Sequence, residues 1–304
     1  MLNERIRHEK SSRGIEKALE NLCKTKPQLE NIAAAFGPLL VAKAAFKEEW
    51  DSLKGLEKEK FTLDQHRFSQ GEPLFAHMGL IDFHEDLPAA AQRLLPPMKQ
   101  AFKGIQKEVE KMNQQLSANG IDTRESIKAL VNDNQKILNE QAERIALPLP
   151  VFTFILGQLA KPFLEMQSPI FAPLTKGHQW LHGYCPVCGS HAAMAGLVGE
   201  GGKRWLQCSL CDHEWRFNRH TCPRCNDSNH ENQEYFFDKK SPLGAGERVD
   251  LCNNCKTYLL TIDLRQRIDP VNMEVAAMGM IPLDILAQGK GYTPTAATPW
   301  NSLS

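Results

Sequence analysis

The chain carries no net charge and has no uncharged apolar run of about 20 residues, the length that a membrane-spanning helix needs. Its 304 residues include 36 basic and 36 acidic side chains, and residues 181–304 hold 12 basic and 13 acidic ones, so no basic face is evident. The most apolar stretch, residues 145–160, contains Pro148 and Pro150, and it is shorter than the roughly 20 apolar residues of a spanning helix. We therefore expect neither nucleic-acid binding nor membrane insertion.

Motifs of catalysis and export are also missing from the sequence. There is no glycine-rich phosphate loop, no paired carboxylates and no nucleophile motif, so we expect a protein that is not an enzyme. Residues 1–8 are charged and lack the apolar segment of a signal peptide, which predicts a cytoplasmic location. Cytoplasmic thiols are mostly kept reduced, so clustered cysteines there favour metal binding over disulfides.

Eight of the nine cysteines form four Cys-x-x-Cys pairs, and only Cys23 lies outside them. Two intervening residues let the backbone curl into a knuckle that points both thiolates at one cation, and two knuckles complete a tetrahedral site. Four knuckles therefore predict two metal sites. The predicted ligands are Cys185, Cys188, Cys208, Cys211, Cys222, Cys225, Cys252 and Cys255.

The spacing alone allows two pairings of the knuckles. In the sequential pairing the first two knuckles share one metal and the last two share the other, whereas a cross-brace would pair the first with the third. Strand-like segments at 205–207, 214–217, 234–237 and 258–262 favour the sequential pairing, because each ribbon then has its own hairpin. Four thiolates suit zinc or iron, and a structural role favours the redox-inert zinc.

The knuckle turns also make a conformational prediction. Gly189 follows the first knuckle, as in rubredoxin, and Asp212 and Asn226 tolerate the left-handed backbone that such a turn needs. Lys256, after the fourth knuckle, fits that conformation less well.

Helical periodicity dominates the first half of the chain. We predict an all-α domain at residues 1–170, with a kink or split at Gly37-Pro38 and helix breaks at Pro96-Pro97 and Pro162. One helix should carry apolar positions from Ile127 to Ile145 after a cap at Asp122. The predicted continuation is a linker at 171–182, a first metal ribbon at 183–220, a second at 221–268, and a C-terminal helix and tail at 269–304. Pro282 should kink or split the last helix, and residues 293–304 read as disordered.

One known family is similar to this sequence. Trp180, the run Tyr184-Cys-Pro-Val-Cys-Gly-Ser190 and the run Trp205-Leu-Gln-Cys-Ser-Leu-Cys-Asp-His-Glu-Trp215 resemble the formate dehydrogenase accessory protein family FdhE. The last two knuckles, Tyr258, Leu283-Asp284 and Gly291-Tyr292 extend the resemblance to about residue 292.

The resemblance implies a chaperone-like accessory protein of formate dehydrogenase maturation. Such a protein binds the immature catalytic subunit in the cytoplasm, before twin-arginine export, and the eight cysteines would hold two mononuclear irons in rubredoxin-like sites, with zinc as the alternative. The other hypotheses are a rubredoxin-like electron-transfer protein and a zinc-ribbon adaptor for protein interactions. A homo-oligomer is left open.

Overall fold

Helices build the chain up to residue 171, strands follow from residue 192 to 263, and two short helices come after them. The computed structural model describes Ile6 and residues 8–50, 61–238, 246–265 and 267–301. The helices are α1 (Ser12–Thr25), α2 (Glu30–Glu49), α3 (Gln65–Ser69), α4 (Leu74–Met78), α5 (Leu87–Ala101), α6 (Gln106–Ser117), α7 (Thr123–Val131), α8 (Gln135–Arg144), α9 (Leu149–Phe171), α10 (Met273–Gly279) and α11 (Ile281–Gly289). The predicted fold class, a helical region followed by a β region with two cysteine clusters and C-terminal helices, is confirmed.

All strands of the described residues belong to one sheet, which joins the two metal ribbons. The strands are β1 (Ala192–Val198), β2 (Lys203–Cys208), β3 (Glu214–Arg216), β4 (Gln233–Phe237), β5 (Glu247–Cys252), β6 (Thr257–Asp263) and β7 (Thr293–Pro294). The order is β3-β2-β1-β6-β5-β4, with β7 beside β6. Neighbours within each ribbon are antiparallel, and the ribbons meet where β1 and β6 run parallel, with Met194 opposite Leu260. The sequence signals indicated β2, β3, β4 and β6 but not this junction.

Two predicted helix breaks, at Pro96-Pro97 and Pro162, are wrong, and the helix is not split at Gly37-Pro38. Helix α2 runs through Pro38, α5 runs through Pro96 and Pro97, and α9 runs through Pro162. A proline inside a helix removes one backbone hydrogen bond, and here the apolar faces of these helices pack on both sides of it. The predicted split at Pro282 is confirmed, since α10 ends at Gly279 and α11 starts at Ile281.

The helix predicted from Ile127 to Ile145 is two helices. Asp122 caps α7 by accepting the Glu125 N–H at 2.9 Å, as predicted. The chain then turns at Asp133, whose φ is 52°, and Asn134 caps α8. Short polar residues adopt the left-handed region more readily than most, so this turn costs little.

The C-terminal tail is ordered as far as Asn301, contrary to the prediction of disorder; residues 302–304 lie outside the described part. Strand β7 pairs with β6, and the Thr295 hydroxyl donates to the carbonyl oxygen of Tyr258 at 2.7 Å. Trp300 packs edge-on against Phe36 of α2, with ring centroids 6.2 Å apart. The tail therefore fastens the sheet to the helices.

Within the described residues, one helical segment, Pro27–Glu49, is long and apolar enough to cross a membrane by length and composition. A second candidate arises only if Gln135–Arg144 and Leu149–Thr175, bent by 100°, count as one broken span. Core helices of soluble proteins pass the same test, and 44% of the apolar window of the first segment is buried inside the protein. This is weak evidence for a membrane span.

A buried ion pair ties the first helix to the sheet and to α10. Lys26, just after α1, donates to Glu247 of β5 at 2.5 Å and to the carbonyl oxygen of Gly279 at 2.7 Å. The two side chains are 8% and 6% exposed. Their charges are therefore removed from water, and each depends on the other for compensation.

Replacing Lys26 by Met should lower the free energy of unfolding by about 3–5 kcal/mol, because Glu247 would keep a buried charge without its cation. The double variant Lys26→Met/Glu247→Leu should recover most of that loss, since both charges are then gone. Urea unfolding followed by circular dichroism measures both, with Lys17→Met on the exposed side of α1 as control. A loss below about 1 kcal/mol for Lys26→Met would assign the pair the small value of a surface ion pair.

Candidate metal centres

The first cysteine cluster joins the first two knuckles. Cys185 and Cys188 come from the loop before β1, Cys208 is the last residue of β2, and Cys211 lies in the turn between β2 and β3. Their Sγ atoms lie within 4.8 Å of one another, with 3.6 Å between Cys185 and Cys211 and 3.3 Å between Cys188 and Cys208. This is the sequential arrangement of knuckles, and the cross-brace is excluded for this cluster.

Helices enclose the first cluster. All four cysteines are at most 3% exposed and belong to the same apolar core as α5 and α9. At the start of α4, the N–H groups of Leu74 and Phe75 donate to the carbonyl oxygens of Pro186 and Val187, at 2.9 and 2.8 Å. On the other knuckle, Lys161 of α9 donates to the carbonyl oxygen of Ser209 at 3.0 Å. Both knuckles are thus anchored to the helical region.

The second cluster joins the third and fourth knuckles and is more open. Its Sγ atoms are 3.7 Å apart between Cys222 and Cys255 and also between Cys225 and Cys252. Cys225 and Cys255 are only partly buried. A solvent molecule or a partner can therefore approach this cluster much more closely than the first.

Polar side chains surround the sulfurs of the second cluster. The Thr257 hydroxyl lies 3.0 Å from the Cys255 sulfur, the Asn254 amide donates to Cys225 at 3.6 Å, and the Gln233 amide donates to Cys252 at 3.7 Å. Hydrogen bonds to ligand sulfurs stabilise their negative charge and tune the metal that they hold. The sequence patterns did not identify these three residues, because they lie outside the knuckle motif or at its variable positions.

All four knuckles share one backbone turn. Gly189, Asp212, Asn226 and Lys256 have positive φ values of 82°, 58°, 59° and 54°. Inside the knuckles, backbone N–H groups approach the first sulfur at 3.4 Å, as from Val187 to Cys185. The left-handed turn expected after each second cysteine is present, and Lys256 adopts it despite its side chain.

The thiols differ in the ease with which they ionise. Burial raises the pKa of Cys185 and of Cys211 in the first cluster. In the second cluster, burial opposes ionisation of Cys225, but hydrogen bonds from the Asp227 backbone and the Asn254 side chain lower its pKa to about 7. In the first cluster, burial likewise opposes ionisation of Cys188, but hydrogen bonds from the neighbouring cysteines lower its pKa. Since thiolates are the metal-binding form, each cluster contains one thiol that ionises more readily than its neighbours.

The donor sets fit a tetrahedral metal. Four sulfurs at about 2.3 Å from a cation are about 3.8 Å apart. The measured pairs span 3.3 to 3.7 Å, which a small outward shift would match. Iron and zinc both accept four thiolates in this geometry, so the distances do not select the metal.

A buried ionic cluster lies beside the first metal centre, and sequence reasoning missed it. Lys161 contacts Glu274 of α10 at 3.0 Å and Glu165 at 3.7 Å, and Lys43 of α2 contacts Glu274 at 3.3 Å. Burial opposes ionisation of Glu274, but the neighbouring lysines hold the pKa of its carboxyl well below its usual range. These residues are far apart in sequence, so no sequence motif identifies them.

Comparisons with known proteins find similarity to the same family in each case. The family model described as "FdhE, central domain" matches residues 184–219, which hold the first cluster. A "Protein FdhE homolog" of Haemophilus ducreyi is 29% identical over 167 residues, 54% of this chain and 52% of that protein. One from Aquifex aeolicus is 31% identical over 117 residues, 38% of this chain and 40% of that protein. The chain thus matches about half or less of the length of these curated relatives.

The fold is also that of a solved protein. The crystal structure of the FdhE protein from Pseudomonas aeruginosa superposes with a TM-score of 0.61 at 20% identity, covering 97% of this chain and 96% of that one. The predicted resemblance to the FdhE family is confirmed.

The difference in exposure predicts two rates of metal release. With excess chelator, the metal of the second cluster should leave in a fast phase and that of the first in a slow phase, because only the second presents partly exposed sulfurs. The variant Cys222→Ser/Cys225→Ser should lose the fast phase and keep the slow one. The variant Cys185→Ser/Cys188→Ser should lose the slow phase and keep the fast one. Release is followed with a chromogenic metal indicator. A single rate in the unmodified chain would contradict the assignment.

Lys256 should carry measurable backbone strain. Lys256→Gly should be more stable than the matched Lys256→Ala by about 1 kcal/mol, because glycine has no Cβ to clash in the left-handed region. Alanine removes the same side-chain contacts but keeps the strain. Thermal unfolding of the metal-loaded variants measures the difference, and equal midpoints would show that the turn is relaxed.

Proposed function

We propose that this chain is an accessory protein for the maturation of a formate dehydrogenase, which binds the immature catalytic subunit in the cytoplasm before its twin-arginine export. The observation that carries the proposal is the pair of four-cysteine clusters on one sheet, the first of which lies within the segment that matches the FdhE central domain. We infer the client protein from the resemblance to the FdhE family, and the fold would provide the surface that binds it.

The chain acts in this proposal without catalysing a reaction. Each cluster closes a tetrahedron with four protein ligands, whereas catalytic metal sites keep a position for water or substrate. Metal binding and folding are coupled in such closed sites, since the ligands converge only in the folded chain. The metals would therefore maintain the binding surface.

Iron in both clusters is the occupant that we propose, with zinc as the alternative. The first knuckle, which Gly189 follows with a positive φ, resembles that of rubredoxin. In this knuckle the backbone N–H of Val187 donates to the Cys185 sulfur. Four thiolates with such hydrogen bonds support one-electron cycling of an iron centre.

Electron transfer is the second candidate function, and the second cluster favours it. Its partly buried sulfurs and the donors Thr257, Asn254 and Gln233 are the features that set a potential and admit a redox partner. A zinc-ribbon adaptor, in which both metals only stabilise the fold, is the outcome if the clusters prove to hold zinc.

Client binding is tested by capture from the cytoplasm. The tagged chain, expressed in its host with the formate dehydrogenase subunits, should retain the catalytic subunit that still carries its signal peptide. Removing the gene should abolish formate-dependent dye reduction, and the plasmid-borne chain should restore it. Cys185→Ser/Cys188→Ser should fail to restore it, because the first cluster stabilises the core. Full dye reduction without the gene would overturn the proposal.

The metal content of the purified protein distinguishes iron from zinc in the two clusters. Protein purified without oxygen should contain two irons and show thiolate-to-iron charge-transfer absorption that bleaches on reduction. Two zincs in a colourless sample would leave client binding in place and rule out electron transfer.

A further inference from the structure

A wide groove separates the segment after α9 from the edge of the sheet. Its volume is about 1250 Å³. One wall is residues 172–181, which begin with a single 3-10 turn at Ala172–Thr175. The other wall is the β2–β3 hairpin with the following residues, 218–221. The groove lies on the face of the first ribbon and contains none of the eight cysteines.

The groove is strongly basic in a chain without net charge. Its lining includes five Lys or Arg residues and three His residues, but one acidic residue, Glu214. That carboxylate lies 3.0 Å from the ring of His8. Lys176 on one wall and Arg216 on the other are exposed and have no acidic partner within the described ranges. Arg219, also exposed, donates to the carbonyl oxygen of Gly201 at 3.4 Å.

Strand β3 contributes an unpaired backbone edge to this wall. It is the outermost strand of the sheet and pairs with β2 alone in the described structure. The N–H of Cys208 donates to His213 at 2.9 Å and the N–H of Phe217 donates to Arg204 at 3.1 Å. Since bonded and non-bonded pairs alternate in an antiparallel ladder, the backbone groups of Glu214 and Arg216 point away from β2.

These features point to one kind of ligand. We propose that the groove binds an extended acidic segment of the client subunit, whose backbone pairs with the outer edge of β3 and whose carboxylates contact Lys176, Arg216 and Arg219. The identity of the client rests on the proposed function. Strand addition to an exposed sheet edge gives affinity through backbone hydrogen bonds, and the flanking cations select acidic side chains. The exposed Leu181 adds an apolar contact on the opposite wall.

The aromatic residues of the groove argue against a nucleic acid. Single-stranded nucleic acids bind through exposed rings on which bases stack. Trp215 and Phe217 are 4% and 6% exposed, whereas Trp180 and Trp205 are half-buried. The Trp180 indole donates to the carbonyl oxygen of Tyr184 at 2.8 Å. A backbone edge, in contrast, is complementary to another peptide.

Fluorescent peptides test the ligand class directly on the metal-loaded full chain. The probes are a short peptide of alternating Glu and Val, the same peptide with Lys in place of Glu, and oligothymidine. The Glu peptide should bind, the Lys peptide should not, and oligothymidine should not displace the Glu peptide. Equal binding of both peptides, or displacement by oligothymidine, would overturn the proposal.

Charge-reversal variants locate the binding site. Arg216→Glu/Arg219→Glu should weaken the Glu peptide by at least about tenfold at low salt, because the complementary cations become repulsive. Lys176→Glu, on the opposite wall, should also weaken binding of the Glu peptide. This single variant replaces the double variant if the double variant loses its metals. Lys107→Glu/Lys136→Glu makes the same change in net charge on exposed helix positions and should leave binding unchanged. Unchanged affinity in both groove variants would place the ligand elsewhere.

A proline variant distinguishes the contribution of backbone strand pairing to peptide binding from that of charge. Glu214→Pro removes a backbone N–H that points outwards, which an edge strand tolerates, and Glu214→Gln removes the same carboxylate but keeps the N–H. The proline variant should bind the Glu peptide more weakly than the glutamine variant. Equal affinities would exclude strand addition.

Client capture distinguishes the groove from the proposed function. If the unmodified chain captures the catalytic subunit and Arg216→Glu/Arg219→Glu captures it equally well, the groove proposal is wrong and the accessory function stands. If the unmodified chain captures no catalytic subunit while the Glu peptide binds, the client assignment fails and the peptide groove remains.

Discussion

The burial of four sulfur ligands between the helices and the sheet is the constraint on which the rest of this structure depends. Thiolates in an apolar core are unfavourable unless a cation compensates them, and burial accordingly raises the pKa of Cys185 and Cys211. Metal loading and closure of the helices on the first ribbon must therefore occur together. The contacts from α4 and from Lys161 to the knuckle carbonyls then transmit the metal's position to the helical region.

The same motif serves two different environments in one chain. Around the first cluster the neighbours are apolar core residues, whereas Thr257, Asn254 and Gln233 surround the second with polar groups. The parallel pairing of β1 with β6 holds both clusters on one continuous sheet. A rigid support of this kind lets one site maintain the fold while the other remains open to solvent and to partners.

The sequence predicted the chemistry better than the helix boundaries. Cysteine spacing is local, so the knuckles and the turns after them could be predicted, whereas their sequential grouping was predicted from the strand-like segments beside them. Proline rules failed at Pro96-Pro97 and Pro162, because the free energy of packing on both sides outweighs the lost hydrogen bonds. The basic groove could not be predicted from charge counts, since Lys176, Arg216 and Arg219 are balanced by acids elsewhere and converge only in the fold. Domain boundaries remain a prediction, as packing does not measure independent folding.

The contacts between the first and last elements have a consequence for synthesis. Helix α1 packs on α10, and Lys26 reaches both Glu247 and Gly279, so the first helix has no complete partner surface until the last helices have been made. On the ribosome, the helical region and the first ribbon emerge before α10, so α1 packs completely only after α10 has been made. Translation thus provides an interval in which both cysteine clusters have been made but α1 has not yet packed on α10.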